Sequence, residues 1–244
     1  MRIKDLRQDW DACARNDPLW AIITDPKKRG NRWDVSEFFR TGAAEITGVL
    51  GYVQSLGVPL RMERALDFGC GVGRLSRALA EYFNEVHGVD VSLAMVELAR
   101  QYSRYNEKCR YHANDSPSLR IFPDDHFDLI YSNITLQHID PKDTMEYVQE
   151  FVRVLAPRGL LVFQLPSAPL NPLKASLKRS IATRLLWLFR RCGYIRRPIM
   201  VMHSVKRESV VGLLQGAGAK IVDIREDQSA GTDWHSYRYC ATKA

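Results

Sequence analysis

The stretch that most constrains this chain is a glycine-spaced turn that follows a short apolar segment, at residues 64–75. Leu66 and Phe68 are typical of a buried β-strand, and Leu75 and Leu79 recur afterwards at helical spacing. Glycine allows positive φ and lets a ligand come close to the main chain, because it has no Cβ atom. The free N–H groups at a helix start form a polar cradle. The stretch therefore predicts a strand, a binding turn and a helix.

The spacing of the glycines distinguishes two kinds of nucleotide loop. Gly69, Gly71 and Gly73 form Gly-x-Gly-x-Gly, whereas a dinucleotide loop has Gly-x-Gly-x-x-Gly and would need glycine where Arg74 stands. Asp67 precedes the first glycine, and a carboxylate there repels a pyrophosphate but suits a ligand with a cationic amino group. The alternative is a tight strand–helix turn that binds no ligand.

Composition limits the class of protein. With 244 residues and 45% hydrophobic content the chain can form one α/β domain with additions. Its five cysteines are odd in number and include no Cys-x-x-Cys pair, which argues against a disulfide framework or a metal site and indicates a reducing compartment. Residues 1–17 lack the apolar core of a signal peptide, and no stretch is suited to span a membrane. We therefore expect a cytoplasmic protein.

Residues 1–63 precede the predicted strand and contain three of the five tryptophans. The clearest helix runs from Asp34 to Leu56, with Asp34 as its cap and Glu37 placed to complete a capping box. Three glycines weaken it and predict a break: Gly42, Gly48 and Gly51. We expect a helical extension that either covers the active site as a lid or packs into the core through its tryptophans.

A second predicted strand, Glu85 to Asp90, ends in a carboxylate 17 residues after the last glycine of the loop. Such a carboxylate can accept hydrogen bonds from both ribose hydroxyls of a nucleotide. The alternative is that Asp90 caps the helix that begins near Ser92. Val91 and Met95 follow on the same segment and are further candidate contacts.

Two more predicted strands end in polar residues. They run from Cys109 to Asp115 and from Phe127 to Asn133, and a Leu-Gln-His segment that ends at His138 follows the second. The polar residues at these ends are Asn114, Asp115, Ser116, Ser132 and Asn133. Ligands of open parallel sheets bind outside the carboxyl ends of the strands, so these side chains should share one site. His138 is a candidate general base, although a lone histidine is more often a structural or positioning residue.

The Asp-x-Gly-x-Gly-x-Gly loop and the Phe-Asp strand that runs into Leu-Gln-His resemble class I S-adenosylmethionine (SAM) dependent methyltransferases of the small-molecule type. The resemblance covers residues 64–165 and, by pattern, 204–243. It implies an α/β fold with a Rossmann-like, seven-stranded, mostly parallel sheet, an antiparallel last strand and helices on both faces. It also implies SAM as the cofactor and methyl transfer as the activity.

The resemblance implies a role for each candidate residue. The amino-acid moiety of SAM would be held by Asp67, Gly69, Cys70, Gly71 and Gly73, with Ser132 and Asn133 beside it. Asp90 would hold the ribose and Asp115 the adenine, with Asn114 or Ser116 as alternatives for the adenine. An amine or carbanion acceptor needs no base. For a hydroxyl acceptor His138 is the first candidate base, and His203 and His235 are weaker ones.

Residues 167–203 form a predicted insertion in a methyltransferase domain at 64–244. Residues 167–207 contain ten Lys and Arg and no Asp or Glu, while the whole chain carries a net charge of +7. Apolar residues at helical spacing predict a basic amphipathic helix. It either covers the site and pairs with an anionic substrate, contacts an acidic membrane surface through 174–197, or docks on the domain with its charges in solvent.

Two other functions compete with methyl transfer. A nicotinamide-dependent oxidoreductase conflicts with the glycine spacing and with Asp67, and a non-catalytic SAM-fold binding protein conflicts with the intact glycines and carboxylates. No aromatic-rich basic module or Asn-Pro-Pro-Tyr tetrapeptide is present, so nucleic acid is not expected as a partner. The sequence favours a small-molecule acceptor, anionic or lipid-linked, and identifies neither the acceptor nor the oligomeric state.

Overall fold

The computed structural model describes residues 3–171 and 200–243. The predicted basic helix at 174–197 lies outside the described residues, as does most of the predicted insertion at 167–203. Among the described residues, no helix has the length and apolar character needed to cross a membrane.

Seven strands of the described chain form one sheet. They are β1 (Arg64–Phe68), β2 (Glu85–Asp90), β3 (Cys109–Ala113), β4 (Phe127–Ser132), β5 (Leu155–Pro169), β6 (Ala219–Glu226) and β7 (Trp234–Lys243). Their order is β3-β2-β1-β4-β5-β7-β6, and β7 runs antiparallel to both of its neighbours while the other pairs are parallel. The predicted mostly parallel sheet with an antiparallel last strand is confirmed.

Seven α-helices accompany the sheet within the described ranges. They are α1 (Ile3–Asn16), α2 (Pro18–Ile22), α3 (Val35–Ser55), α4 (Arg74–Leu79), α5 (Leu93–Tyr102), α6 (Pro141–Val154) and α7 (Arg207–Gly216). Short 3-10 turns occupy Pro26–Lys28 and Leu136–His138. Three of these helices, α1 to α3, lie in the segment that precedes β1.

The core lies on both faces of the sheet because side chains alternate along each strand. On β1, Leu66 packs in the cluster that holds α6 and α7, while Ala65 packs in the cluster that holds α3 and α4. On β4, Ile130 and Tyr131 divide in the same way. A third cluster joins α1, α2, α3 and α5 and packs the N-terminal helices against the sheet domain.

The predicted break in α3 is wrong, because the helix is continuous from Val35 to Ser55. Asp34 caps it as predicted and accepts a hydrogen bond from the N–H of Glu37 at 2.8 Å. A Cβ atom at Gly42 would lie 2.4 Å from the carbonyl oxygen of Arg74, so this glycine permits close packing of α3 on α4. Burial of the apolar face stabilises the helix more than its glycines weaken it.

Candidate active site

A cavity of about 360 Å³ lies at the carboxyl ends of β1 to β4. The strand order reverses between β1 and β4, which is where open parallel sheets bind ligands. Of the residues predicted from the sequence, those that line the cavity are Gly69, Cys70, Gly71, Asp90, Val91, Asn114, Asn133 and His138. The structure thus brings together one or more candidates from each of the four predicted strand ends.

The loop after β1 has the backbone that its glycines allow. Gly69, Gly71 and Gly73 have φ of +80°, +51° and +81°. A Cβ atom at Gly69 would lie 2.2 Å from the side chain of Thr135, and one at Gly73 would lie 2.7 Å from the hydroxyl of Tyr111. Positive φ and these short distances both exclude larger residues.

The N–H groups of this loop are largely used within the protein. Those of Gly69 and Cys70 donate to the carbonyl of Val89, and that of Gly73 donates to the carbonyl of Cys70. These three N–H groups are therefore not available to a ligand, and the predicted polar cradle does not include them. The glycines are required by the positive φ of the loop and by its close packing on Thr135, Ile22 and Tyr111.

Asp90 ties the glycine loop to the end of β2. Its Oδ2 accepts a hydrogen bond from the N–H of Gly71 at 2.9 Å, and its Oδ1 accepts one from the N–H of Ser92 at 2.8 Å. The cap of α5 is Ser92, whose Oγ accepts from the N–H of Met95, so the capping alternative for Asp90 is wrong. Burial raises the pKa of Asp90 to about 6.

Asp67 lies beneath the loop and does not itself line the cavity. The hydroxyl of Ser76 donates to its Oδ2 at 2.6 Å, and burial raises the pKa of Asp67 to about 7. Its Oδ1 is buried and has no hydrogen-bond partner among the described residues. The structure therefore gives Asp67 an indirect position relative to any ligand in the cavity.

At the end of β3 it is Asn114 that lines the cavity. Its Nδ2 donates to the carbonyls of Ser116 and Ser118, which fixes the loop. Asp115 instead pairs with Arg7 of α1 at 2.8 Å and is about half exposed. Neither Asp115 nor Ser116 contributes to the cavity wall in this structure.

Gly73, Met95 and Ser132 also lie away from the cavity wall. Met95 has no exposed surface and packs in the cluster that joins the N-terminal helices to α5. The hydroxyl of Ser132 donates to the carbonyl of Phe68 at 3.0 Å and links β4 to β1. These three residues therefore do not contact the cavity.

His138 lines the cavity and is held in one tautomer. Its Nδ1 lies 3.1 Å from the carbonyl oxygen of Val201, and a carbonyl only accepts, so Nδ1 carries the proton. Nε2 is then the unprotonated nitrogen, 3.4 Å from Nε2 of Gln137. Burial lowers the pKa of His138, and Trp10 packs against it edge-on at 5.6 Å. His203 is buried away from the cavity wall and His235 is exposed.

The sequence reasoning missed a large part of the cavity wall. The missed residues include Ile3, Leu6, Trp10, Ile22, Arg74, Thr135, Gln137, Met200 and Met202. The first four lie on α1 and α2, and the spacing of Leu6, Trp10 and Cys13 on one helical face was a signal for α1. Which site such a face covers depends on tertiary contacts that the sequence does not contain.

Comparisons with known proteins relate the chain to methyltransferases. Residues 66–163 match the family model described as a methyltransferase domain. The chain is 35% identical over 109 residues to a malonyl-[acyl-carrier protein] O-methyltransferase of Halorhodospira halophila. These residues make up 43% of this chain and 36% of that protein. It is 26% identical over 187 residues to a phosphoethanolamine N-methyltransferase of Triticum aestivum. That alignment covers 66% of this chain and 35% of that protein.

The fold is also similar to that of a magnesium protoporphyrin IX methyltransferase from Synechocystis solved with bound S-adenosylhomocysteine (SAH). The TM-score is 0.59 at 19% identity, and the likeness covers 93% of both chains. By contrast, the chain spans between 35% and 43% of the length of three curated relatives, a Bacillus subtilis methyltransferase among them.

Proposed function

We propose that this chain, whose residues 66–163 carry a methyltransferase domain of the class I fold, transfers a methyl group from SAM to a small-molecule acceptor. Its membership of that fold class, predicted from the sequence, is confirmed. The observation that carries the proposal is the cavity bounded by the glycine loop and Asp90 at the sheet's switch point. The nicotinamide alternative is not favoured.

The residues present fit SAM. Gly69 and Gly71 adopt positive φ, and the missing Cβ atoms let Thr135 and Ile22 of the cavity wall pack closely against the loop. Asp90 accepts two backbone hydrogen bonds and keeps free lone pairs for the ribose hydroxyls. We propose that Asn114 or Asp115 contacts the adenine, and Asn114 is the one on the cavity wall. Asn133 carries a buried Oδ1 without a hydrogen bond among the described residues, which suits a donor on the ligand.

When bound, SAM supplies an activated methyl group on its sulfonium. The protein then has to align the acceptor with that group and exclude water, and orientation alone accounts for much of the rate of such a reaction. Leu6, Trp10 and Ile22 supply apolar walls that exclude water. For a hydroxyl acceptor we propose that Nε2 of His138 takes the proton, because Nδ1 is held protonated by Val201 and burial keeps the ring neutral.

The N-terminal helices are proposed to act as the lid of this site. α1 contributes Ile3, Leu6 and Trp10 to the wall, and its Arg7 reaches Asp115. The hydroxyl of Ser92 donates to Asp11 of α1 at 2.6 Å, so α1 also contacts the segment that follows Asp90. A cofactor in the cavity would lie between α1 and the sheet.

We propose that the acceptor carries an anionic group and that the reaction belongs to a biosynthetic pathway in the cytoplasm. Two of the relatives are named for malonyl and phosphoethanolamine acceptors, which carry a carboxylate and a phosphate. The ten Lys and Arg of residues 167–207 supply positive charge for such a group or for an acidic surface. Because the chain spans less than half of these relatives, the acceptor is to be identified by assay.

The test is transfer of labelled methyl from SAM to a panel of carboxylates, phosphorylated amines and phenols, with the Asp90→Asn variant as the matched control. We expect labelled product from one acceptor class with the wild-type chain and little with the variant. SAH binding without transfer to any acceptor class would support the non-catalytic alternative instead.

A further inference from the structure

A single carboxylate from the N-terminal extension organises one side of the cavity. Glu45 of α3 accepts hydrogen bonds from Nη2 of Arg74 at 2.7 Å, from the hydroxyl of Tyr131 at 2.8 Å and from Nδ2 of Asn133 at 2.7 Å. Arg74 lies on α4, while Tyr131 is on β4 and Asn133 directly follows that strand. One side chain thus joins three elements that meet at the site.

The position of Glu45 is unusual for a charged residue. It lies on the same face of α3 as Phe38 and Val49, which are buried, and its side chain is only 21% exposed. A carboxylate that is largely removed from water is costly unless charges and hydrogen bonds compensate it. Here Oε2 faces a guanidinium and Oε1 accepts two hydrogen bonds, so both oxygens have partners.

Glu45 fixes the guanidinium of Arg74. That side chain is only 4% exposed, and its Nη1 lies 3.4 Å from the hydroxyl of Thr41, one turn before Glu45 on α3. Arg74 nevertheless lines the cavity, and its Nε is buried with no hydrogen-bond partner among the described residues. Glu45 therefore holds a cation at the wall next to the glycine loop.

Glu45 also decides which amide atom of Asn133 is available. A carboxylate only accepts, so the amide nitrogen must be the atom that faces Glu45. This leaves Oδ1 of Asn133 buried and without a hydrogen bond within the described chain, on a residue that lines the cavity. A buried acceptor of this kind is costly unless a ligand donates to it.

We propose that Glu45 is the positioning residue for the amino-acid end of SAM, an inference that rests on the proposed function. Arg74 offers a positive charge to the carboxylate of that zwitterion, and Oδ1 of Asn133 accepts from its ammonium. Glu45 touches neither group and acts through both side chains. The N-terminal extension is thereby part of the cofactor site as well as its cover.

The test compares two ligands that differ in this end alone. SAH carries the amino-acid moiety and 5′-methylthioadenosine lacks it, so titration calorimetry of both against Glu45→Gln isolates the proposed contact. In the variant the new amide can donate to Asn133 and occupy its Oδ1. We expect SAH to bind about tenfold more weakly or worse, and methylthioadenosine within about twofold of wild type. Glu37→Gln on the same helix, which pairs with Lys28, is the control and should change neither affinity.

The outcomes separate the two proposals. Equal weakening of both ligands, or of neither, overturns the role of Glu45 and leaves the proposed function standing. Failure of the wild-type chain to bind either ligand overturns both. If Glu45→Gln does not fold, Tyr131→Phe removes one donor to Glu45 away from the cavity wall and should weaken SAH selectively, by a smaller factor; no selective loss there also overturns the inference.

Discussion

Oδ2 of Asp90 lies 2.9 Å from the backbone nitrogen of Gly71, and this hydrogen bond joins the end of β2 to the glycine loop after β1. The other oxygen of the same carboxylate accepts from the N–H of Ser92. An ionised carboxylate has about four acceptor positions, so two remain for a ligand. Asp90 therefore both shapes the loop and can bind the ribose.

Asp90→Asn should lower SAH affinity about tenfold to a hundredfold, which corresponds to one lost hydrogen bond to a charged group. The amide offers one oxygen where the carboxylate offers two, so the N–H of Gly71 or of Ser92 loses its partner. Isothermal titration of the folded variant measures the effect. Asp143→Asn on α6, away from the cavity wall, is the control, and an equal loss there would contradict the assignment.

SAH binding should weaken as the pH falls from 7.5 to 5. Burial raises the pKa of Asp90 to about 6, so this pH change protonates the carboxylate and removes acceptor positions from the ribose. Titrations at the two pH values, with wild type and Asp90→Asn side by side, measure the dependence. The variant should show a smaller pH dependence than the wild type, and equal slopes would rule out Asp90 as its source.

Replacing Gly69 by alanine should destabilise the protein and abolish ligand binding. Its φ is +80°, and the added Cβ would meet the Thr135 side chain at 2.2 Å. Gly48→Ala is the matched control, because it lies inside α3 with nothing within 4 Å and should stabilise the chain by about 0.5–1 kcal/mol. Thermal unfolding of both variants should show shifts of opposite sign, and a neutral Gly69→Ala would mean that the loop adapts.

Asp67 should make the protein less stable as the pH rises from about 4 to about 7. Its pKa is raised by burial to about 7 in the folded chain and is about 3.9 in an unfolded one, so between these values the native state binds the extra proton. Denaturant unfolding of wild type and Asp67→Asn at pH 5 and pH 7.5 isolates this residue. The free energy of unfolding of the wild type, relative to that of Asp67→Asn, should be about 2 kcal/mol lower at pH 7.5 than at pH 5. A constant difference would show that Asp67 does not titrate there.

The strands and their polar ends were predictable because local patterns determine them. The short apolar run before Gly69 and the runs that end at Asp90 and Asn133 are strands in the structure, and each leads into the cavity wall. The regular alternation of buried strand and helix fixes such ends at one edge of the sheet.

The sequence-based predictions that were wrong or incomplete concern residues whose environment depends on tertiary packing. Gly42 indicated a break in α3, but the glycine allows α3 to lie against Arg74, a contact visible only in three dimensions. Met95 was a predicted cofactor contact because it follows Asp90 closely, but it is buried against the N-terminal helices. The role of Glu45 was not predicted, although a charged residue on the apolar face of a helix is a signal in the sequence.

The most direct test is thermal unfolding of the full chain with SAM, SAH or NAD added. A ligand at a hundred times its dissociation constant stabilises by about 2.7 kcal/mol, enough for a clear shift of the midpoint. We predict that SAM and SAH raise the midpoint and that NAD does not. A shift with NAD alone would contradict the assignment of the Gly69–Gly73 loop and, with it, methyl transfer as the function.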